Sequence, residues 1–119
     1  MKKFYFLGSC NTCQRILGQL NLDPDFELKD IKKTPITAEE LAQLKALSGS
    51  YEALFSKRAM LYKELGLKEK TLSEVDFKNY ILKHYTFLKR PVLVFDDRIF
   101  IGNTAKVTEA AQTALLNEK

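Results

Sequence analysis

The chain has 119 residues and a formal net charge of +4, with 45% hydrophobic and 29% charged residues. These values exclude a disordered chain and predict a single compact domain. No apolar run approaches the roughly 20 residues that span a bilayer, and no signal-peptide segment follows the basic start at Lys2 and Lys3. We therefore expect a cytoplasmic protein without membrane contact, and its small net charge does not indicate direct DNA binding.

The first thirty residues predict a strand, a helix and a second strand. Residues 4–7 form an aromatic-rich run that is typical of a buried strand. A helix follows, for which Asn11 or Thr12 can serve as the cap. Alternation over residues 26–31 predicts the second strand, with Leu28 on its buried face.

The middle of the chain is helical in pattern. Thr37 and Glu40 have the spacing of a capping box, and Gly49 is a natural stop for the helix that this box begins. Apolar spacing predicts a second helix over residues 59–65 and a third that begins near Ser73. We expect these helices to form an insert over about residues 35–87.

The end of the chain returns to strands. Residues 92–95 and 98–101 are apolar and flank Asp96-Asp97, which predicts a tight hairpin, and a closing helix follows it. The order β-α-β, helical insert, β-β-α is that of a thioredoxin-like α/β domain with a four-stranded mixed sheet. We expect its two halves at about residues 1–34 and 88–119, within one domain that covers residues 1–119.

Cys10 and Cys13 form a C-x-x-C motif between the first strand and the first helix. Helix N-terminal N–H groups and the helix dipole favour a thiolate, so the pKa of Cys10 should fall below the usual value of about 8.5. The spacing also suits the Cα separation of about 4.4–6.8 Å that a disulfide needs. Because nothing marks the chain as secreted, the pattern favours thiols that cycle: Cys10 attacks and Cys13 resolves the mixed disulfide.

A metal site and a pair of inert cysteines are the alternatives to redox chemistry. A zinc site would lack ligands, because His84 is the only histidine and the chain has no further cysteine, so we expect no metal. Free cysteines are common in protein cores, so two unreactive thiols in a binding module of the same fold remain open.

The sequence resembles the arsenate reductase-like family that contains ArsC and the Spx regulators, over nearly its whole length. The matching segments are Cys10-Asn11-Thr12-Cys13, Asp30-Ile31-Lys32-Lys33-Thr34-Pro35, Leu54-Phe55-Ser56-Lys57-Arg58, Tyr62-Lys63-Glu64-Leu65-Gly66-Leu67, Leu88-Lys89-Arg90-Pro91-Val92 and Ile101-Gly102-Asn103. The family has a thioredoxin-like fold with a helical insert, which agrees with the order of elements above.

The resemblance implies roles for particular residues. Cys10 corresponds to the nucleophilic cysteine, and Cys13 to the second cysteine of the Spx-like redox switch. Arg90 corresponds to an arginine that contacts bound oxyanion, and its forked guanidinium suits that contact. Pro91 corresponds to the proline that is cis in thioredoxin-like folds. Arg58 lies in the insert, where Spx-like sequences also have arginine.

The turn between the two cysteines completes the expected site. Asn11 and Thr12 lie at the N-terminus of the helix, where the backbone can cradle an anion. Where arsenate reductases have further arginines, this chain has Ser56 in the insert and Ile101-Gly102 in the hairpin. The arginine set for arsenate is therefore incomplete, and the C-x-x-C motif favours dithiol chemistry.

These observations give two functional hypotheses. The first is a thiol-dependent oxidoreductase that resembles arsenate reductase and is linked to glutathione and glutaredoxin or to thioredoxin. It needs no cofactor beyond a thiol reductant such as glutathione as co-substrate. The second is an Spx-like redox-sensing regulator that binds RNA polymerase.

Overall fold

The computed structural model describes residues 1–118, which form two compact units. One unit comprises Met1–Thr34 and the segment that begins at Arg90, and the other comprises Pro35–Lys89. The strands are β1 (Lys2–Phe6), β2 (Glu27–Asp30), β3 (Val92–Phe95) and β4 (Arg98–Ile101). The helices are α1 (Asn11–Leu20), α2 (Ala38–Ser48), α3 (Met60–Glu64), α4 (Glu74–Lys83) and α5 (Ala105–Asn117). The prediction of one domain over the whole chain stays a prediction.

The first unit contains a mixed four-stranded sheet in the order β2-β1-β3-β4. β1 runs parallel to β2 and antiparallel to β3, and β3 and β4 form the predicted antiparallel hairpin. The turn of the hairpin places Asp96 at a φ of 55°, a left-handed conformation that Asp tolerates better than most residues. The α/β fold class predicted from the sequence is confirmed.

The core of this unit lies on the two central strands and on helices α1 and α5. All four residues of the central strand β3 are buried, so its side chains are covered on both faces of the sheet, and all four are apolar. One buried cluster joins the sheet to both helices; it includes Phe4, Ile16, Leu93, Phe95 and Ala111. The strand and the helix on either side of the turn at Cys10 are thereby packed into one core.

The prediction that Leu28 is buried is wrong. This side chain is 50% exposed, although its partner across the ladder, Phe4, is fully buried. The reason is the position of β2 at the edge of the sheet. An edge strand has a neighbour on one side only, so alternation along its sequence does not guarantee burial.

The second unit is held by helix caps and aromatic packing. The predicted capping box is present: the Glu40 N–H donates to Thr37 Oγ1 at 3.1 Å, and the Thr37 N–H donates to Glu40 Oε1 at 3.2 Å. Gly49 ends α2 at a φ of 92°, as predicted. The ring of Phe55 lies 4.9 Å from that of Phe77 and 5.3 Å from that of Phe87, and these contacts join α4 to neighbouring 3₁₀ turns.

Candidate functional site

Cys10 is the N-cap of α1, in the turn that follows β1. Its backbone is extended, with φ −92° and ψ 114°. Its N–H donates to the Leu7 carbonyl at 3.0 Å, and its carbonyl accepts from the Gln14 N–H at 3.1 Å. The prediction that Asn11 or Thr12 caps the helix is wrong, because the helical hydrogen bonding already begins at the Cys10 carbonyl.

Cys13 is the third residue of α1, in its first turn, and it differs from Cys10 in exposure. The Cys13 side chain is fully buried, whereas Cys10 is partly exposed. Both are free thiols, and each affects the ionisation of the other. The structure therefore has the two sulfurs side by side, with one facing solvent and the other enclosed.

The environment of Cys10 lowers the pKa of its thiol. Partial burial is the largest single influence and raises the pKa. It is outweighed by hydrogen bonding from the Cys13 backbone and thiol and from the Thr12 backbone, together with the positive charge of Arg90. The lower pKa favours the thiolate of Cys10, which is the nucleophilic form of a cysteine.

The environment of Cys13 acts in the opposite direction and raises the pKa of that thiol to about 11. Burial is the main cause, and the hydrogen bond and negative charge of Cys10 add to it. Hydrogen bonding from the Leu7 backbone and the charge of Arg90 oppose the increase. Cys13 therefore keeps its proton while Cys10 is a thiolate.

Arg90 and Pro91 enter the site from the strand next to β1. They directly precede β3, and the peptide bond between them is cis. The Gly102 N–H donates to the Pro91 carbonyl at 2.9 Å, which ties this segment to the end of β4. The Arg90 side chain is half-buried, with its Nε atom enclosed, and its charge acts on both sulfurs.

The turn between β1 and α1, residues 7–10, is called the cysteine turn below. Three residues to which the sequence assigned no role at the site shape this turn. The Gln14 side chain donates from Nε2 to the Gly8 carbonyl at 3.0 Å. The Asp30 carboxylate lies directly against the Cα of Gly8, where a Cβ atom would collide with it. Gly8 at the end of a predicted strand could have been noticed in the sequence, but its neighbour Asp30 comes from β2 and has no local signal.

The remaining candidates are distributed over both units. Asn11 and Thr12 form the first turn of α1, with Asn11 exposed and Thr12 half-buried, so the structure brings them together with the cysteines. Arg58 belongs to the other unit, where it is exposed in the turn before α3. The roles assigned to these residues from the sequence stay predictions.

Two further observations concern metals and membranes. Within residues 1–118, no three His, Cys, Asp or Glu side chains are grouped as a metal site would require. No helix in the same range is long and apolar enough to cross a bilayer.

Comparison with known proteins finds one protein family and several relatives that this chain resembles. The model of the ArsC family matches residues 5–111. The global transcriptional regulator Spx 2 of Bacillus anthracis is 28% identical over 105 residues, which cover 86% of this chain and 79% of that protein. An arsenate reductase of Yersinia enterocolitica is 38% identical over 63 residues, which cover 52% of this chain and 45% of that protein.

Solved structures agree with the sequence matches. The arsenate reductase from Vibrio cholerae is similar with a TM-score of 0.76 over 94% of this chain and 95% of that one, at 22% identity. At this level of identity the match shows a shared fold. Since the family model matches nearly the whole length, this chain, with its cysteine pair at the start of α1, belongs to the ArsC family.

Proposed function

We propose that the protein is a thiol-dependent oxidoreductase that resembles arsenate reductase, with the Cys10 thiolate as nucleophile and Cys13 as resolving thiol. The observation that carries this proposal is the opposite perturbation of two adjacent thiols. The pKa of Cys10 is lowered and that of Cys13 is raised to about 11. The accessible thiol is the one whose pKa is lowered, as an attacking cysteine requires, and this supports redox chemistry over a pair of inert cysteines.

The first step uses the exposed sulfur. The Cys10 thiolate attacks one sulfur of an external disulfide, R–S–S–R, and a mixed disulfide forms as R–S⁻ leaves. Cys13 does not compete at this stage, because its thiol is protonated and buried. One sulfur is thus selected as the entry point.

The second step follows from the change of charge in the first. In the mixed disulfide Cys10 is neutral, so the negative charge that raises the pKa of Cys13 is gone, while the positive charge of Arg90 remains. Cys13 then loses its proton more readily, attacks the Cys10 sulfur and releases the second R–S⁻. The protein ends as a Cys10–Cys13 disulfide, and the substrate is reduced to two thiols.

Arg90 and the first turn of α1 would hold a negative charge at this site. The guanidinium of Arg90 lowers the pKa of Cys10, and the same group can bind an anionic oxygen of a substrate. The backbone at Asn11 and Thr12 would complete an anion cradle at the helix N-terminus. Arg58 is proposed as a further anion contact from the resemblance alone.

The oxidised pair must be reduced for turnover. We propose glutathione with glutaredoxin, or thioredoxin, as the source of electrons, with no bound cofactor. The test is reduction of a small disulfide with each reductant supplied in turn. We expect Cys10→Ser to abolish the reaction, while Cys13→Ser, the matched control, still forms the mixed disulfide and stops there. Full activity of Cys10→Ser would refute the assignment.

The alternative is an Spx-like redox-sensing regulator, favoured by the match to Spx 2 over 86% of the chain. In that case the same cysteine pair would report oxidation, and the protein would bind RNA polymerase instead of turning over substrate. Retention of RNA polymerase on the immobilised protein should then depend on the oxidation state. A Cys10→Ser variant that binds polymerase as the reduced protein does, whatever the oxidant, would support this alternative.

A further inference from the structure

A cleft of about 700 Å³ lies beside the cysteine turn. Apolar atoms of Phe6 and Leu7 contribute to its wall, and Gly8 and Ser9 belong to the turn itself. Ser9 is bonded to Cys10, and consecutive Cα atoms lie about 3.8 Å apart. A molecule whose sulfur reaches Cys10 can therefore extend over Ser9 into this cleft, whose volume suits a small-molecule ligand.

The charges around the cleft favour an anion. Lys32 and Lys33 line it and have exposed side chains. Asp30 is the acidic residue of the lining, and both oxygens of its carboxylate already contact other residues of the protein. One oxygen accepts from the Lys32 backbone N–H at 3.0 Å, and the other lies against Gly8. The two ammonium groups thus outnumber the one carboxylate.

We propose that this cleft binds the carboxylate-bearing arm of a small disulfide substrate, with Lys32 and Lys33 selecting for negative charge. The inference rests on the proposed oxidoreductase function and names its substrate class. The reaction is balanced by the protein itself: the cysteine pair loses two electrons and two protons as it forms a disulfide, and the anionic disulfide becomes two thiols. No other oxidant or reductant is needed for a single turnover.

The test compares two aromatic disulfides in single-turnover stopped-flow experiments. One is dianionic, 5,5′-dithiobis(2-nitrobenzoate), and the other is neutral, 2,2′-dipyridyl disulfide. Each rate constant is divided by that of free mercaptoethanol with the same reagent, which removes the difference in intrinsic reactivity. The normalised preference for the dianion should fall about tenfold in Lys32→Gln/Lys33→Gln, since exposed ion pairs contribute only modestly. Salt should weaken the wild-type preference.

The control is Lys2→Gln, which removes one positive charge and is compared with the single variants Lys32→Gln and Lys33→Gln, each of which also removes one. Lys2 lies at the start of β1, whereas the cysteine turn follows the end of this strand. Its ion pairs with Asp23 and Asp25 are long, at 4.0 and 3.9 Å, so their loss should cost little. The preference should be unchanged in this variant. An equal loss in Lys2→Gln would show a general effect of net charge and would overturn the proposal.

A binding experiment without reactive thiols separates this inference from the proposed function. In Cys10→Ser/Cys13→Ser, the dianionic disulfide should shift the NMR amide signals of Ser9, Lys32 and Lys33, and the shifts should vanish in the Lys32→Gln/Lys33→Gln background. If wild-type protein reacts with neither disulfide but these shifts appear, the proposed function fails and the site stands. If it reacts with both without preference and no shifts appear, the site fails and the function stands.

Discussion

The buried thiol of Cys13 makes the stability of the reduced protein depend on pH in a defined window. In the folded chain its pKa is raised from 9.0 to about 11, chiefly by burial and then by the neighbouring Cys10 thiolate. Between these values the unfolded chain loses the proton while the folded chain keeps it. Deprotonation therefore favours the unfolded state, and the free energy of unfolding falls as the pH rises from about 9 to about 11.

The size of this loss follows from the two pKa values. A tenfold change in a proton equilibrium is worth about 1.4 kcal/mol, so the difference between 9.0 and about 11 amounts to about 3 kcal/mol. A domain is typically stable by only about 5–15 kcal/mol, so the effect is measurable. Below about pH 9 the Cys13 thiol keeps its proton in both states, and the free energy of unfolding has its full value. Above about pH 11 both states have lost the proton, and the free energy of unfolding falls no further on account of this group.

The assay is urea unfolding of the reduced protein at pH values from 8 to 11.5, in the absence of oxygen. Other groups titrate in this range, so the informative quantity is the difference between wild type and Cys13→Ala at each pH. We expect wild type to lose about 2–3 kcal/mol relative to the variant across the window. In Cys10→Ala the loss should be smaller, because the thiolate that raises the pKa of Cys13 is absent.

Parallel stability curves for wild type and Cys13→Ala would refute this reasoning. They would mean that Cys13 ionises equally in the folded and unfolded chain, and so is not enclosed. A difference that grows with pH in the opposite direction would mean that the folded protein stabilises the Cys13 thiolate. The roles proposed for the two sulfurs would then have to be exchanged.

Two further predictions concern the cysteine turn. Gly8→Ala should destabilise the protein by about 1 kcal/mol in urea unfolding, because its Cβ would displace the Asp30 carboxylate, whose other oxygen accepts from the Lys32 N–H. The control Gly18→Ala, with nothing within 4 Å of the added atom, should stabilise α1 by about 0.5–1 kcal/mol, and equal effects would contradict the close packing of the turn. Arg90→Gln should raise the pKa of Cys10 and slow its alkylation by iodoacetamide at pH 7, because a positive charge that favours the thiolate is lost. Arg90→Lys keeps the charge, so a rate as low as that of the glutamine variant would contradict this electrostatic role.

Features of the fold that depend on a few neighbouring residues could be predicted from the sequence. The capping box at Thr37 and Glu40 is a spacing of three residues, and the hairpin at Asp96 needs only two apolar runs and a turn. The predicted cap of the first helix, Asn11 or Thr12, lies one or two residues after Cys10, which is the N-cap in the structure.

Features that depend on distant parts of the chain were missed or had to come from the family resemblance. Leu28 was expected to be buried because alternation does not reveal which strand forms the edge of the sheet. The closeness of Arg90 to the cysteines depends on the pairing of β1 with β3, in which Tyr5 is opposite Val92. The contact of Asp30 with Gly8 likewise arises from β1 and β2 lying side by side, which no local pattern encodes.

The enclosure of one sulfur beside an accessible one also fixes the order in which reagents reach them. A maleimide or a peroxide meets Cys10 first, because Cys13 has no exposed surface. A second label can react with Cys13 only after a local opening of the structure around it, so its rate measures the free energy of that opening. Peroxide therefore converts Cys10 to the sulfenic acid first, and a resolving Cys13 would capture this acid as a disulfide before further oxidation.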